Sequence, residues 1–251
     1  MATVQMKGIG DQSPVCKPSV CDGCDIRSLT FCSVLSPIES ERIRATLKTV
    51  NAPVHAILFQ EGDPADHIFN VTSGVVKIYK LLPDGRRQIT GFLFPGDFLG
   101  LAYDTNYVYS AEAVTAATLC RFNRAKLLAL FNDMPHMEKH ISVTTSHELA
   151  AAQNQMLLLG RKTAQEKIAS FLLMLAHRAD GHGEQALKTA HSALELPMSR
   201  ADMGDYLGLT IETVSRTFTT LRKSGAIKLL DPGHAEVVDW DRLEALAEGS
   251  C

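Results

Sequence analysis

The sequence predicts an α+β protein with short antiparallel strands in its N-terminal half, a long helix in the middle and a closely spaced helix pair near its C-terminus. Over residues 53–125, short runs of Ile, Val, Phe and Tyr are separated by turn signals. The glycines in these turns recur every 11 or 12 residues, at Gly62, Gly74, Gly85 and Gly96. Such spacing is typical of a sandwich, barrel or roll of short strands. Helical periodicity over residues 134–159 and 199–227 predicts the other two parts.

The composition is that of a globular protein. The 251 residues are 45% apolar and 21% charged, and 25 Lys and Arg against 28 Asp and Glu give a formal net charge of -3. This length accommodates one large domain or two domains of common size. No run of roughly 18 apolar residues is present, so no membrane span is expected. The first residues carry no apolar signal-peptide core, and we therefore expect a cytoplasmic protein in which structural disulfides are disfavoured.

Residues 33–50, ahead of the strand-rich segment, are predicted to form one or two short amphipathic helices. Ser36 or Ser40 can cap such a helix. The apolar positions that recur at helical spacing are Ile43, Leu47 and Val50.

A heptad seam runs along the helix predicted over residues 134–159. Its members step by four, three, four and three residues: Thr145, Leu149, Ala152, Met156 and Leu159. A seam of this kind packs either on a second copy of the helix or on the helix's own domain, and the periodicity fits both equally. A further amphipathic helix is predicted over residues 161–180.

Residues 199–227 carry the strongest local signal, a short helix, a tight turn at Gly208 and a second helix. Ser199 is expected to cap the first helix, and Thr210 to cap a second helix that ends near residue 224. Two helices joined in this way form a helix-turn-helix, whose second helix reads DNA in many proteins. A hairpin is predicted directly after it, around residues 231–234.

The first turns of the second helix carry side chains that can read bases. Glu212, Ser215 and Arg216 lie on one helical face. Arg bonds a guanine edge bidentately, Glu accepts from a cytosine amino group, and Ser contacts either type of base. Arg222 and Lys223 lie farther along the helix, where phosphates would pass.

The charge distribution favours DNA binding over an ordinary solvated helix pair. Residues 161–230 contain ten Lys or Arg and seven Asp or Glu, whereas the rest of the chain contains 15 and 21. The segment therefore has a formal charge of +3 within an acidic chain. A basic bias confined to one domain is typical of a nucleic-acid-binding domain.

The cysteines predict a metal site. Cys21, Cys24 and Cys32 follow the pattern Cys-x2-Cys-x7-Cys, and Cys120 supplies a fourth thiol from the strand-rich segment. Four thiolates bind either tetrahedral zinc or an iron–sulfur cluster, and the spacing alone does not choose between them. Cys16 fits the spacing less well, and the terminal Cys251 is not expected to be a ligand.

The order of these parts resembles the CRP/FNR superfamily of bacterial transcription regulators over residues 33–248. That resemblance implies a β-roll of the cyclic-nucleotide-binding, jelly-roll type, a long dimerisation helix and a winged helix-turn-helix. The implied division is a cysteine-rich cluster-binding segment at 1–36, the β-roll sensor at 37–133, the dimerisation helix at 134–160 and the DNA-binding domain at 161–251.

Within the superfamily, the cysteine pattern together with Glu212-x-x-Ser215-Arg216 resembles the oxygen-sensing FNR branch. The branch resemblance implies an oxygen-responsive homodimer with a 4Fe-4S cluster on Cys21, Cys24, Cys32 and Cys120. It also implies a palindromic DNA site with TTGAT-type half-sites, read by Arg216 at the guanine, Glu212 on the opposite strand and Ser215 near a thymine. Thr210 and Ile211 complete the expected DNA-facing set, and the seam residues are the implied dimer contacts.

Two departures from the branch are visible. The loop between Cys24 and Cys32 is longer than in many members, and Ala152 stands where regulated members often carry an acidic residue on the dimer helix. The turns around Ser73 and Asp84–Arg87 match surfaces with which relatives contact RNA polymerase.

Other function classes fit less well. Cyclic-nucleotide-binding relatives carry an Arg pair where this chain has Tyr109-Ser110, and a buried phosphate without a cation would be costly, so we expect no such ligand. A structural zinc or a redox-thiol sensor remains the alternative to the cluster. An iron–sulfur electron carrier would need no recognition helix, and no enzyme motif of the Gly-x-Gly-x-x-Gly or P-loop type is present.

Overall fold

The computed structural model describes residues 21, 24–101, 105–179 and 193–250. Two four-stranded antiparallel sheets form its N-terminal sandwich, with strand orders β1-β8-β3-β6 and β2-β7-β4-β5. The strands are β1 Leu47–Ala52, β2 Ile57–Phe59, β3 His67–Ser73, β4 Val76–Leu81, β5 Arg87–Leu93, β6 Phe98–Leu99, β7 Ser110–Ala113 and β8 Ala117–Asn123. Buried residues of both sheets, among them Val71, Val76 and Leu119, fill the space between them. The predicted roll of short strands is confirmed.

The prediction of helix over residues 33–50 is wrong in its second half. Two 3-10 turns, Arg27–Leu29 and Phe31–Val34, lead into α1, Pro37–Arg44. Ser36 caps this helix in a capping box with Glu39. Leu47 begins strand β1, which pairs with β8 along its whole length. The apolar spacing suited a helix, but the sheet partner lies some 70 residues away in sequence and overrides that local preference.

The predicted long helix is confirmed as α3, Pro135–Arg161, which follows α2, Arg124–Asn132. Its first turn is anchored, since Met134 and Met137 are fully buried against α1, α2 and the outer face of the β1-β8-β3-β6 sheet. Farther along, most of its side chains are exposed. In the described residues no helix is long and apolar enough to cross a membrane.

The C-terminal part is a winged helix-turn-helix. Helix α4, Ala164–Ala179, packs on α5, Arg200–Leu207, α6, Ile211–Lys223, and α7, Trp240–Glu248. The wing is a three-stranded sheet of order β10-β11-β9, made of β9 Ala193–Glu195, β10 Ile227–Asp231 and β11 His234–Val237. The helix pair and the hairpin were predicted, whereas β9 and α7 were not.

The two halves of the chain pack against each other through β4, β5 and α5. An aromatic cluster bridges them, with Phe92 of β5 5.3 Å from the Tyr206 ring and 6.1 Å from the Phe171 ring. Lys77 and Arg87 of the sandwich form ion pairs with Asp202 and Asp205 of α5. The helix-turn-helix therefore docks on the sandwich through its first helix, which leaves its second helix free.

Candidate functional site

The turn between α5 and α6 is fixed by caps and by two glycines. Ser199 and Asp202 form a capping box at the start of α5. Gly208 ends α5 with a φ of 64°, in the left-handed region that glycine tolerates. A Cβ at Gly204 would lie 2.6 Å from the Leu209 carbonyl oxygen, so only glycine lets the two helices approach this closely. The tight turn in the sequence predicted the role of Gly208, whereas that of Gly204 was not predicted.

Helix α6 divides cleanly into a buried and an exposed face. Val214, Phe218 and Leu221 are buried against the rest of the domain. The Arg200 guanidinium lies 3.5 Å from the centroid of the Phe218 ring, which fastens α5 to α6 by a cation–π contact. Burial lowers the pKa of Arg200, but arginine remains protonated at neutral pH.

The predicted base-reading residues all lie on the exposed face. Ile211, Glu212, Ser215 and Arg216 are exposed in the first two turns of α6. The Ser215 hydroxyl donates to the Ile211 carbonyl at 2.9 Å, so its oxygen lone pairs stay available as acceptors. An acidic, a hydroxyl and a guanidinium group thus share the exposed face of α6, and these are groups with which proteins read bases in a major groove.

Thr210 has a structural role at the start of this helix. Its Oγ1 accepts from the Thr213 amide at 3.2 Å, which confirms it as the N-cap. Arg222 and Lys223 are exposed in the last turn. Their position at the far end of α6 suits contacts with phosphates.

The carboxylates of α5 form ion pairs with basic side chains of the sandwich. The Asp202 Oδ1 atom lies 2.8 Å from Lys77 Nζ and 2.9 Å from Arg87 Nη2. Burial alone would raise the pKa of Asp202, but hydrogen bonds from Lys77 and Ser199 and the two nearby cations hold that pKa below its ordinary value. Because these carboxylates are paired away from α6, they do not offset its basic end.

Four predicted cysteines line one cavity of about 210 Å³, which lies between the N-terminal turns and the outer face of the β1-β8-β3-β6 sheet. They are Cys21, Cys24, Cys32 and Cys120. Cys120 lies on the central strand β8, opposite Thr49 of β1 and Asn70 of β3. Residues paired in antiparallel strands point to the same face, and all three line the cavity.

The 3-10 turn that carries Cys32 is held firmly. Thr30 Oγ1 accepts from the Cys32 amide at 3.2 Å. Phe31 is buried, with ring centroids 5.4 Å from Phe98, 5.7 Å from Phe122 and 5.8 Å from Phe131. These contacts dock the turn on the sheet and on α2.

The thiols around the cavity affect one another electrostatically. Burial, together with the neighbouring thiols Cys21, Cys24 and Cys32, raises the pKa of Cys120 to about 12. Burial also raises the pKa of Cys32. Both thiols are therefore protonated at neutral pH, and a positively charged group would have to displace their protons on binding.

The described cysteines are not gathered into a preassembled metal-ion site. Within the part of the chain that the structure describes, no three Cys, His, Asp or Glu side chains are placed to hold a single metal ion. Cys24, Cys32 and Cys120 form no disulfide. Cys16 and Cys251 lie outside the described residues.

Asn70 belongs to this site although the sequence analysis missed it. It is 2% exposed, and its Oδ1 is buried with no hydrogen-bond partner in the described structure. A signal was present, because asparagine is unfavourable inside a strand and here interrupts the apolar run Ile68, Phe69 and Val71.

The heptad seam of α3 is exposed along most of its length. Thr145, Leu149, Ala152 and Met156 are exposed, with Leu149 at 59% and Met156 at 64%. Leu159 is half-buried near the Gly208 turn. Most of the seam therefore does not pack on the domains of its own chain. A second exposed apolar stripe is formed by Val143, Ala150 and Leu157.

Two domain models match the chain. A cyclic nucleotide-binding domain matches residues 49–134, and a Crp-like helix-turn-helix domain matches residues 166–246. The first covers the sandwich, and the second covers α4 to α7. Their order is that of the two halves described above.

Relatives match over nearly the whole chain. Nitrogen fixation regulation protein FixK of Bradyrhizobium diazoefficiens is 43% identical over 227 residues, which cover 90% of this chain and 93% of that protein. Transcriptional activator protein FnrL of Cereibacter sphaeroides is 36% identical over 231 residues, which cover 89% and 90%. The solved structure of FixK2 from Bradyrhizobium japonicum superposes with a TM-score of 0.73 at 36% identity and covers 80% of this chain and 96% of that one. Together with the exposed recognition helix, this similarity shows that the chain belongs to the Crp/Fnr family, whose members are DNA-binding transcription regulators and not enzymes.

Proposed function

We propose that this regulator senses oxygen through a 4Fe-4S cluster held by Cys21, Cys24, Cys32 and Cys120. The observation that carries the proposal is the single cavity that all four thiols line. Three of the thiols come from the N-terminal turns and one from the centre of a sheet, so a group bound to all four would join a loop to the sensor domain.

Four thiols admit either a zinc ion or a cluster, and the resemblance to the oxygen-sensing branch favours the cluster. A zinc ion needs its thiolates about 2.3 Å from one point. A four-iron cluster takes one thiolate at each iron, which spreads the ligands around a larger body. Four thiols that line one cavity of about 210 Å³ supply that number of ligands.

The cysteine turn is in contact with the start of the long helix. The cluster, when bound, supplies oxygen-labile bonds between the turn and Cys120. Phe31 of the turn packs on Phe131 of α2, and both belong to the same buried core as Cys120 and Met137 of α3. Release of the turn would therefore loosen the packing at the first turn of α3.

We infer that α3 pairs with the α3 helix of a second copy. Leu149, Ala152 and Met156 form an exposed stripe with coiled-coil spacing, and burial of such a stripe stabilises association. Two-fold pairing would present two α6 helices to successive major grooves, which suits a palindromic site. Arg216 would contact guanine, Glu212 the opposite strand and Ser215 a thymine of a TTGAT half-site.

Two further parts of the proposal concern ligands and partners. No Lys or Arg occurs between residues 95 and 113, and the Phe59 and Tyr107 rings stack with centroids 3.7 Å apart inside the sandwich, which supports a regulator that binds no cyclic nucleotide. Asp84 and Arg86 pair with each other in an exposed turn, and this turn is the proposed contact with RNA polymerase in transcription activation. Arg87 is excluded from that contact because it pairs with α5.

Iron and sulfide analysis after anaerobic purification tests the sensor. The wild-type protein should contain both elements and absorb broadly in the visible range, and Cys120→Ser should lose them. Cys16→Ser and Cys251→Ser serve as controls that should retain them. A colourless wild-type protein with stoichiometric zinc would contradict the cluster and support a structural metal instead.

A further inference from the structure

Asn70 is a buried amide for which the described structure offers no partner. It is 2% exposed, and its Oδ1 has no hydrogen-bond donor. Buried side-chain polar atoms are nearly always hydrogen-bonded, because an unpaired one loses its contacts with water and gains nothing in return. The oxygen is sealed off, whereas the two N–H groups of Nδ2 make no hydrogen bond with the described residues and remain for a group that enters the cavity.

The position of Asn70 indicates what that partner is. Asn70 of β3 lies directly opposite Cys120 of β8 in the sheet, and both side chains line the cysteine cavity. Paired residues of neighbouring antiparallel strands have Cβ atoms about 4.5–5.5 Å apart. A group bound through the Cys120 sulfur would thus lie beside the Asn70 amide.

We propose that Asn70 donates an N–H···S hydrogen bond to the sulfur atoms of the group held by Cys120 and so protects it from oxygen. The inference rests on the proposed function, since it needs an iron–sulfur group in this cavity. Thiolate and sulfide sulfurs accept hydrogen bonds, and the amide offers two N–H donors.

Hydrogen bonds donated to the sulfur atoms are one of the factors that set the reduction potential of an iron–sulfur group. A donated hydrogen bond stabilises the more negative, reduced form. Its removal favours the oxidised form and makes attack by oxygen easier. Asn70 is on this account a positioning residue that adjusts the lifetime of the group without binding iron.

Thr72 provides a matched control from the same strand. It also lines the cavity, but its Oγ1 already donates to the Thr118 carbonyl at 2.8 Å. Thr72→Val keeps the side-chain shape and removes a hydroxyl that is committed elsewhere. Asn70→Leu removes the amide at similar volume, and Asn70→Asp keeps the shape but replaces the donor with an acceptor.

The experiment measures how fast the visible absorption of each anaerobically purified protein bleaches in air, and the midpoint potential of each. Loss of a supporting hydrogen bond around a metal group typically costs about 10–100-fold in affinity or activity. We expect Asn70→Leu and Asn70→Asp to bleach about tenfold faster, at a lowered potential, with Thr72→Val close to wild type. Thermal unfolding of the iron-free proteins supplies a second readout, in which Asn70→Leu should melt no lower than wild type because the orphaned amide makes no bond there.

The outcomes separate the two proposals. Wild-type bleaching rates in both Asn70 variants would overturn the role of Asn70 and leave the cluster intact. A lower melting temperature of iron-free Asn70→Leu with an unchanged potential would also overturn it, because that result indicates a purely structural role. A wild-type protein without iron and sulfide would overturn the proposed function itself, and this inference with it. If Asn70→Leu does not fold, the bleaching rate and midpoint potential of Asn70→Asp test the role of Asn70.

Discussion

The Lys77 ammonium of strand β4 lies 2.8 Å from the Asp202 carboxylate of helix α5, although 125 residues separate them in sequence. Lys77 is 3% exposed and also lies 3.1 Å from Glu112. One Asp202 oxygen accepts from Lys77, and the other accepts from the Ser199 hydroxyl at 2.7 Å in the capping box of α5. A single carboxylate thus fixes the start of the helix-turn-helix and joins it to the sensor domain.

Replacement of Lys77 by Met should weaken this domain contact. The substitution keeps most of the volume but leaves the carboxylates of Glu112 and Asp202 short of one cation. We expect the free energy of unfolding to fall by about 2–3 kcal/mol, which is below the cost of a fully uncompensated buried charge because Arg87 remains 2.9 Å from Asp202. Denaturant unfolding of the two proteins measures the difference.

Lys80 on the same strand is the matched control. It pairs with Glu61 at 2.6 Å, but both side chains are largely exposed. Lys80→Met should change the free energy of unfolding by less than about 1 kcal/mol, as exposed pairs do. Equal losses in the two variants would show that the Lys77 contact contributes no more than a surface pair.

Acid should weaken the same contact through Asp202. Its pKa is lowered in the folded protein, so the ionised carboxylate contributes stability that is complete above its unfolded pKa of about 3.9 and is lost as the pH falls through the lower folded value. We expect Asp202→Asn to lower the melting temperature at neutral pH and to reduce its dependence on pH below about 4. Melting curves recorded from pH 6 to pH 3 test this, and an unchanged acid slope in the variant would assign that slope to other carboxylates.

Ala152→Asp should prevent pairing of the long helices. Ala152 is exposed between Leu149 and Met156, so two copies would face each other across a two-fold axis. Two buried carboxylates at that axis repel each other and lose water, and both effects oppose association. Sedimentation of the anaerobic variant should show a monomer where the wild-type protein shows a dimer.

Ala150→Asp is the control for this helix. It introduces the same side chain two residues earlier, on the opposite stripe with Val143 and Leu157. We expect this variant to remain dimeric. A dimeric Ala152→Asp together with a monomeric Ala150→Asp would move the interface to that second stripe.

Arg216→Ala should reduce sequence discrimination. The exposed guanidinium in the second turn of α6 is the proposed bidentate partner of guanine, and its loss should cost about 1–3 kcal/mol per half-site. Titration of the dimer against a TTGAT palindrome and its single-base variants measures this cost. Equal losses on matched and mismatched sites would refute a reading role, because a lost base contact must narrow the difference between them.

Lys223→Ala should behave differently in the same titration. Lys223 lies in the last turn of α6, where the proposed binding mode brings it to the phosphates. Binding to all sequences should weaken alike, and the dependence on salt should become less steep because one fewer counterion is released per subunit. A loss confined to the matched site would instead make Lys223 a base-reading residue.

Capping residues and helix-ending glycines in the sequence predicted the helices whose ends they define. The caps Ser199 and Thr210 and the glycine at 208 place α5 and α6 to within a residue or so. Helix α7 was missed although Asp239 caps it and Gly249 ends it, so its signals were present in the sequence. Strand β1 was misread because its partner β8 is remote, and no local pattern encodes that pairing.

In the candidate site, too, contacts between residues remote in sequence could not be predicted. The cysteine spacing predicted four thiols that the structure brings to one cavity. The burial of Lys77 could not be predicted, because a lysine in the run Val76-Lys77-Ile78 suits the solvent face of a strand until α5 covers it. The pairing of Asn70 with Cys120 likewise depends on sheet register, which only the folded chain defines.

An oxygen titration shows whether a cluster in this protein controls DNA binding. An anaerobic sample is titrated with air-saturated buffer while its visible absorption and its binding to a TTGAT palindrome are followed together. We expect absorption and DNA binding to be lost in parallel, and we expect Cys120→Ser to show neither at the start. DNA binding that persists unchanged while the absorption bleaches would contradict this expectation.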